Sequence, residues 1–253
     1  MAKVIAIANQ KGGVGKTTTA INIAAYIALA GYQVLMIDCD PQGNASSGMG
    51  INKKMTNKSI YDVLIKNIAV EQAAMLTKIK NLSIIPSSIQ LAGAEVELAN
   101  LNGRELKLKK ALFPVKNEYE YIFIDCPPSL GLLTINALSA CDSVIIPLQC
   151  EYYALEGLTQ LVDTIQLIKR QLNPLIKIEG IVFTMFDGRT NLSIQVVDEV
   201  KKHFRKEVYR TIIPRNVRLS EAPSHGKPIV TYDPRSKGAE MYQELAMEVM
   251  RRA

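Results

Sequence analysis

Apolar runs of four to eight residues recur along the chain. Between them lie longer stretches in which apolar positions return every three or four residues. The short runs are Val4–Ala8, Val34–Ile37, Leu82–Ile85, Tyr121–Ile124, Ser143–Pro147, Ile178–Met185 and Val208–Ile213. Most are near-continuous in Val, Ile and other apolar residues rather than alternating, the mark of strands buried on both faces of a parallel sheet. The longer stretches predict helices over Lys16–Leu29, Gly93–Leu112, Gly131–Ala140, Glu156–Gln171, Asn191–Arg205 and about Gly238–Arg251. This alternation predicts an α/β fold with a doubly wound, mostly parallel central sheet flanked by helices. In such sheets ligands bind at the carboxyl ends of the strands. No repeat, low-complexity tract or linker divides the sequence, so residues 1–253 are expected to form a single domain. The least regular stretch, Asp40–Asn57, is expected to be a loop near the site.

The first strand runs straight into Asn9-Gln10-Lys11-Gly12-Gly13-Val14-Gly15-Lys16-Thr17-Thr18-Thr19, and a helix is predicted from Lys16. Strand, glycine loop and helix in that order are the context a phosphate-binding loop requires. Gly12, Gly13 and Gly15 let successive amides turn inward onto phosphate oxygens, and the helix adds its unpaired N–H groups. Lys16 supplies a point charge for the β- and γ-phosphates, and Thr17 a hydroxyl for Mg²⁺. Two anomalies stand out: the usual first glycine is Gln10, and a second lysine, Lys11, stands at the loop's mouth. The second strand ends in Asp38-Cys39-Asp40, two acids that leave it on one face. Acids at strand ends often cap helices or loops. Beside a Mg-phosphate site, Asp40 is read as orienting or deprotonating the attacking water and Asp38 as supporting the Mg²⁺ shell. Tyr121–Asp125 is an apolar strand ending in aspartate, whose carboxylate would hold Mg²⁺ through water.

Three segments together resemble the deviant Walker A, A′ and B motifs of the ParA/MinD ATPases. They are Lys11-Gly12-Gly13-Val14-Gly15-Lys16-Thr17-Thr18, then Asp38-Cys39-Asp40-Pro41-Gln42-Gly43-Asn44, then Ile124-Asp125-Cys126-Pro127-Pro128-Ser129. The likeness continues through Gln149–Gly157 and Ile213–Pro228, segments that resemble the small chromosomal ParA proteins called Soj, and it covers essentially the whole chain. The resemblance implies a P-loop ATPase with ATP and Mg²⁺ as ligands. It implies that Lys11 through Thr18 hold the nucleotide and that Lys11 reaches across a homodimer to the partner's ATP. It links Asp40 to hydrolysis. Thr184–Asp187 and Pro214–Asn216 are similar to the adenine-side wall, which makes Met185, Pro214 and Asn216 nucleotide contacts. The ATP dimer would bind double-stranded DNA without sequence preference, through positions that include Arg189 and Arg218. A ParB-type partner would stimulate slow hydrolysis and release it, and a replication initiator stays open as a further partner.

Charge placement adds to this picture. The chain carries 30 Lys/Arg and 24 Asp/Glu, net +6. Residues 201–253 hold twelve of the basic and six of the acidic residues, so the whole excess lies in the last fifth of the chain. That asymmetry suits a polyanion-facing surface as well as a merely solvated one. Lys201, Lys202, Arg205, Lys206, Arg215, Arg218, Lys227, Arg235 and Lys237 are the candidates. The composition, 48% hydrophobic and 21% charged, is that of an ordinary soluble chain, without an apolar run of membrane-spanning length or a signal peptide. Cys39, Cys126, Cys141 and Cys150 lack metal-ligand spacing and read as buried free thiols of a reducing cytoplasm. A protein of this kind is expected to be cytoplasmic and nucleoid-associated, without stable membrane attachment. With the phosphate loop starting at Lys11, no amino-terminal helix-turn-helix domain is expected. Three other readings compete. A MinD-like membrane-binding ATPase would use the apolar stripe Met241, Tyr242, Leu245, Val249 and Met250 as a tail. An iron-protein electron-transfer ATPase would need bridging cysteines, and a small-molecule kinase or ligase would need an acceptor pocket.

Overall fold

The computed structural model describes residues 1–52, 56–151 and 154–252. Tyr152 and Tyr153 of the Gln149–Gly157 segment, and residues 53–55 of the expected Asp40–Asn57 loop, lie outside the described residues. Seven strands form one sheet: β1 (Lys3–Ile7), β2 (Val34–Asp38), β3 (Met75–Leu76), β4 (Leu82–Ile85), β5 (Tyr121–Asp125), β6 (Ser143–Gln149) and β7 (Lys177–Thr184). Their order is β3-β4-β2-β5-β1-β6-β7. Every neighbouring pair is parallel except β3 with β4. All residues of β2 and β5 are buried, as the continuous apolar runs predict. The register sets Asp125 level with Ile7 on one side and with Asp38 on the other. The phosphate loop and both acids therefore emerge at one height.

Helices cover both faces. In chain order they are α1 (Lys16–Leu29), α2 (Asn44–Gly48), α3 (Ile60–Ile65), α4 (Val70–Ala73), α5 (Leu91–Ala99), α6 (Lys107–Leu112), α7 (Leu132–Ala140), α8 (Ala154–Gln171), α9 (Asn191–Phe204), α10 (Val217–Glu221), α11 (Ile229–Tyr232) and α12 (Lys237–Arg252). One apolar core joins α3 to α9 and one sheet face, and a second joins α1, α12 and the other face. Tyr242 and Leu245 of α12 are at most 1% exposed, and the Tyr242 hydroxyl lies 3.1 Å from that of Thr19 on α1. The stripe that could have served as a membrane tail is thus spent on α1. No helix among the described residues is long and apolar enough to cross a membrane.

Three expectations are corrected. Val208–Ile213 does not form an eighth ladder strand. It meets β7 at one isolated bridge, Val208 with Ile181, and through the Tyr209 and Ile213 amides, which donate to the Ile181 and Phe183 carbonyls. Between them the Glu248 carboxylate accepts the amides of Arg210 (2.9 Å) and Thr211 (3.2 Å). The single helix expected over Gly93–Leu112 breaks into α5 and α6, where the chain turns at Asn102–Gly103. The expected Asp40–Asn57 loop contains α2.

Candidate nucleotide site

The phosphate loop closes on itself through its own bonds. Gly15 is left-handed, φ 84°, and from it α1 starts at Lys16. The Lys16 ammonium, 6% exposed as a residue, donates to the Lys11 carbonyl at 2.9 Å and so holds the loop in an arc. Burial lowers its pKa below that of an ordinary lysine, with the Asp125 charge the main opposition. Val14 contributes backbone: its side chain is buried, and its carbonyl accepts the Thr184 hydroxyl at 2.8 Å. That bond ties the loop to the end of β7.

Thr17 and Asp125 meet where a hard cation would sit. The Thr17 hydroxyl donates to Oδ2 of Asp125 at 2.8 Å. Oδ1 of Asp125 is buried and has no hydrogen-bond partner. Burial raises the Asp125 pKa, and the Asp38 charge pushes it further the same way. An orphaned carboxylate oxygen in a negatively charged, enclosed corner beside a hydroxyl fits the oxygen preference of Mg²⁺. Asp38, expected in the Mg²⁺ shell, is engaged elsewhere. Its Oδ2 accepts both the amide (2.7 Å) and the hydroxyl (2.6 Å) of Ser46, and its Oδ1 accepts the Asp40 amide at 3.3 Å. Asp38 therefore anchors the loop that carries Asp40. Asp40 itself lines the cavity, with one carboxylate oxygen held by the Gln42 amide at 2.9 Å.

The cavity has two lobes. One, of about 580 Å³, is lined by Gly12, Gly13, Lys16, Thr17, Thr18 and Asp40, with Asn44, Ser47, Pro223 and Ser224 facing them. The other, of about 380 Å³, is lined by Met185, Pro214, Asn216 and Tyr242. Gly15, Thr18, Met185 and Pro223 line both lobes. The Asn216 side chain also accepts the Leu219 amide at 3.4 Å, which starts α10. The lobe bounded by the loop glycines, Lys16 and Thr17 can take phosphates, and the adjoining lobe walled by Met185, Ile213 and Pro214 can take a base. The second lysine behaves differently from the first. Lys11 is absent from the lining of either lobe, and its ammonium is ion-paired with Glu151.

This arrangement has close counterparts. A family model described as an AAA domain matches residues 2–178. The chain is 61% identical over 249 residues to the sporulation initiation inhibitor protein Soj of Bacillus subtilis, covering 98% of each chain. It is 56% identical over 250 residues to the chromosome partitioning protein ParA of Myxococcus xanthus, covering 99% of this chain and 88% of that one. The chain belongs to the Soj/ParA family of chromosome-partitioning ATPases. Among solved structures, a Mycobacterium smegmatis cobyrinic acid a,c-diamide synthase with bound ATP analogue and magnesium matches at TM-score 0.87 and 37% identity. The match covers 99% of this chain and 95% of that one.

Within the family frame, the basic candidates are not equally available. Arg189 is clamped by Asp187 through two bonds of 2.9 and 2.7 Å. Arg218 pairs with Glu221 (2.9 Å) and Asp233 (3.3 Å), and Lys202 with Glu199 (2.7 Å). Lys201, Arg205 and Lys227 are exposed. Sequence reasoning missed Ser46, Tyr242 and the Pro223–Ser224 turn. Tyr242 carried a signal, its place on the apolar stripe of the last helix. Ser46 carried none, since its role depends on a carboxylate eight residues away.

Proposed function

We propose that this chain is an ATP-dependent, dimerising ATPase of chromosome or plasmid partitioning. Its ATP-bound homodimer binds double-stranded DNA non-specifically, and a ParB-type partner releases it by stimulating a slow hydrolysis. The observation that carries this reading is a division of labour: Lys16, Thr17 and Asp40 line one cavity, with Asp125 bonded to Thr17 behind it, while Lys11 lies outside the lining and pairs with Glu151. The loop amides and Lys16 bind the β- and γ-phosphates, and Met185, Pro214 and Asn216 flank the base. Thr17 and Asp125 hold Mg²⁺, which neutralises phosphate charge when bound. Asp40 orients the attacking water, and its position depends on Asp38 and Ser46. Lys11 completes the partner's site, so hydrolysis belongs to the dimer.

The DNA step follows from charge. Lys and Arg contacts to phosphates give salt-dependent affinity without sequence preference, with Kd of about 10⁻⁴–10⁻⁶ M. Pairing two such surfaces on one duplex raises avidity by on the order of 10²–10⁴. A nucleotide that governs dimerisation therefore governs attachment to the nucleoid. The test is DNA binding against salt concentration with ATP, ADP and no nucleotide, for wild type and Asp40→Ala. ATP-dependent binding that falls steeply with salt, and that persists in Asp40→Ala, is expected. Equal binding in all three nucleotide states, or ATP-dependent binding to anionic liposomes but not DNA, would overturn the proposal.

A further inference from the structure

The Asp40 loop and the basic segment touch backbone to backbone. From Asp40 the chain turns through Gly43, whose amide donates to the Asp40 carbonyl at 2.8 Å, into α2. Ser46 staples α2 to Asp38, and the Gly50 and Ile51 amides return to the Ser47 and Ser46 carbonyls at 2.9 and 3.0 Å. The stretch from Asp40 to Ile51 is thus one tightly bonded piece. Facing it is the turn Ala222–His225, which follows α10 and ends at Gly226. Pro223 and Ser224 of this turn line the phosphate lobe together with Asn44 and Ser47. Arg218 lies one turn upstream and Lys227 immediately downstream.

The two pieces meet at a pair of glycines. Both are left-handed, Gly50 at φ 75° and Gly226 at φ 60°. A β-carbon on Gly226 would stand 2.8 Å from the Gly50 Cα, and one on Gly50 would stand 2.9 Å from the Gly226 carbonyl oxygen. No side chain lies between them to absorb a displacement. A packed contact of this kind moves as a unit or separates, because well-packed surfaces do not deform continuously.

We propose that the Gly50–Gly226 contact couples the Asp40 loop to the basic segment, so that the state of the γ-phosphate site sets the placement of Arg218 and Lys227. This inference rests on the ATP-dependent DNA binding proposed above. It adds that the signal passes within one subunit, besides any effect of dimerisation. Asn44 and Ser47 of α2 and Pro223–Ser224 of the turn all line the phosphate lobe, so filling it loads both pieces at once. Loss of the γ-phosphate frees the Asp40 side, and the glycine contact carries that movement to the turn.

Coupling between two binding sites is reciprocal: the factor by which ATP raises DNA affinity equals the factor by which DNA raises ATP affinity. The experiment measures both factors at fixed protein concentration with a non-hydrolysable ATP analogue, in wild type, Gly50→Ala, Gly226→Ala and Gly31→Ala. Gly31 is the control, since it too is left-handed (φ 106°) but a β-carbon there meets nothing within 4 Å. Gly50→Ala and Gly226→Ala press on the contact from opposite sides. Both should keep analogue affinity without DNA within about twofold and lower both coupling factors at least about fivefold, against a typical range of about 5–150. Gly31→Ala should leave them unchanged. Wild-type coupling factors in the two contact variants would overturn the inference, as would an equal loss in Gly31→Ala, which would assign the effect to backbone strain. Wild-type DNA binding without any nucleotide dependence would instead overturn the proposed function.

Discussion

Glu151 holds Lys11 in the free subunit, and its removal should strengthen the ATP-dependent dimer. The two side chains are 39% and 45% exposed, so their ion pair is worth the modest sum of a solvated pair, about 0.2–1 kcal/mol. If Lys11 must leave Glu151 to reach the partner's nucleotide, each dimer breaks two such pairs, at a cost of about 0.4–2 kcal/mol. Glu151→Gln removes that cost, and the dimer should tighten by about 2- to 30-fold at low salt, less as salt screens the pair. Sedimentation velocity with ATP and Mg²⁺ in an Asp40→Ala background, where turnover does not deplete the nucleotide, measures the change. The same substitution added to Lys11→Ala should give no gain, since nothing is then left to release. Equal gains with and without Lys11 would refute the reasoning and mark Glu151 as a general repulsive charge at the interface. A weaker dimer in Glu151→Gln would mean that Glu151 itself binds the partner.

Other consequences are open to direct measurement. Ser46→Ala removes a hydroxyl that donates to Asp38 and accepts the buried Ser87 amide at 3.0 Å. Losing both bonds should cost roughly 3–6 kcal/mol in urea unfolding, with the Asp38→Asn double variant losing less than the sum; a loss under about 1 kcal/mol would count against the anchoring role. Asp187→Asn frees Arg189, so DNA should bind more tightly with ATP, and the log–log salt slope should steepen by up to about 2 per dimer if each Arg189 gains one phosphate. An unchanged affinity there would show that Arg189 does not face DNA. For Lys16, burial depresses the pKa of the free protein while a bound phosphate favours the charged ammonium. ATP affinity should therefore be full below that lowered pKa and fall as pH rises through it, starting below the 10.5 of an ordinary lysine. An ATP affinity flat up to pH 10.5 in fluorescence titrations would contradict this.

Much of the site was legible because its parts sit at strand ends. The apolar runs before Lys11, Asp38 and Asp125 place all three at one edge of a parallel sheet, and the register in which Asp38 and Asp125 pair with each other follows from that. What was not legible depends on partners distant in sequence. Val208–Ile213 has every local mark of a strand, but Glu248, on a helix 37 residues on from Thr211, takes the Arg210 and Thr211 amides from its middle. The sequence places Asp38 in the Mg²⁺ shell beside Asp40, but its bonds to Ser46, which no local pattern records, make it an anchor instead. The helical period runs across Asn100–Gly103, yet the chain turns there, which apolar spacing does not record. Lys11 and Glu151 are 140 residues apart, and their pairing is a product of the β1–β6 neighbourhood.

The four cysteines make the molecule its own reporter. All are buried, and burial pushes their thiols up, to about 12 for Cys141 and about 11 for Cys150. Cys39 and Cys126, directly after the strands that end in Asp38 and Asp125, are raised further by those carboxylates. Thiolate is scarce in every one of them at neutral pH, so an alkylating dye sees a native molecule as nearly blank. A single cysteine introduced on the surface can then carry a fluorophore without first stripping the natural four. The slow background labelling is informative in its own right. Modification of Cys39 and Cys126 times the opening of the nucleotide edge of the sheet, while Cys141, at the opposite edge, times the rest of the fold.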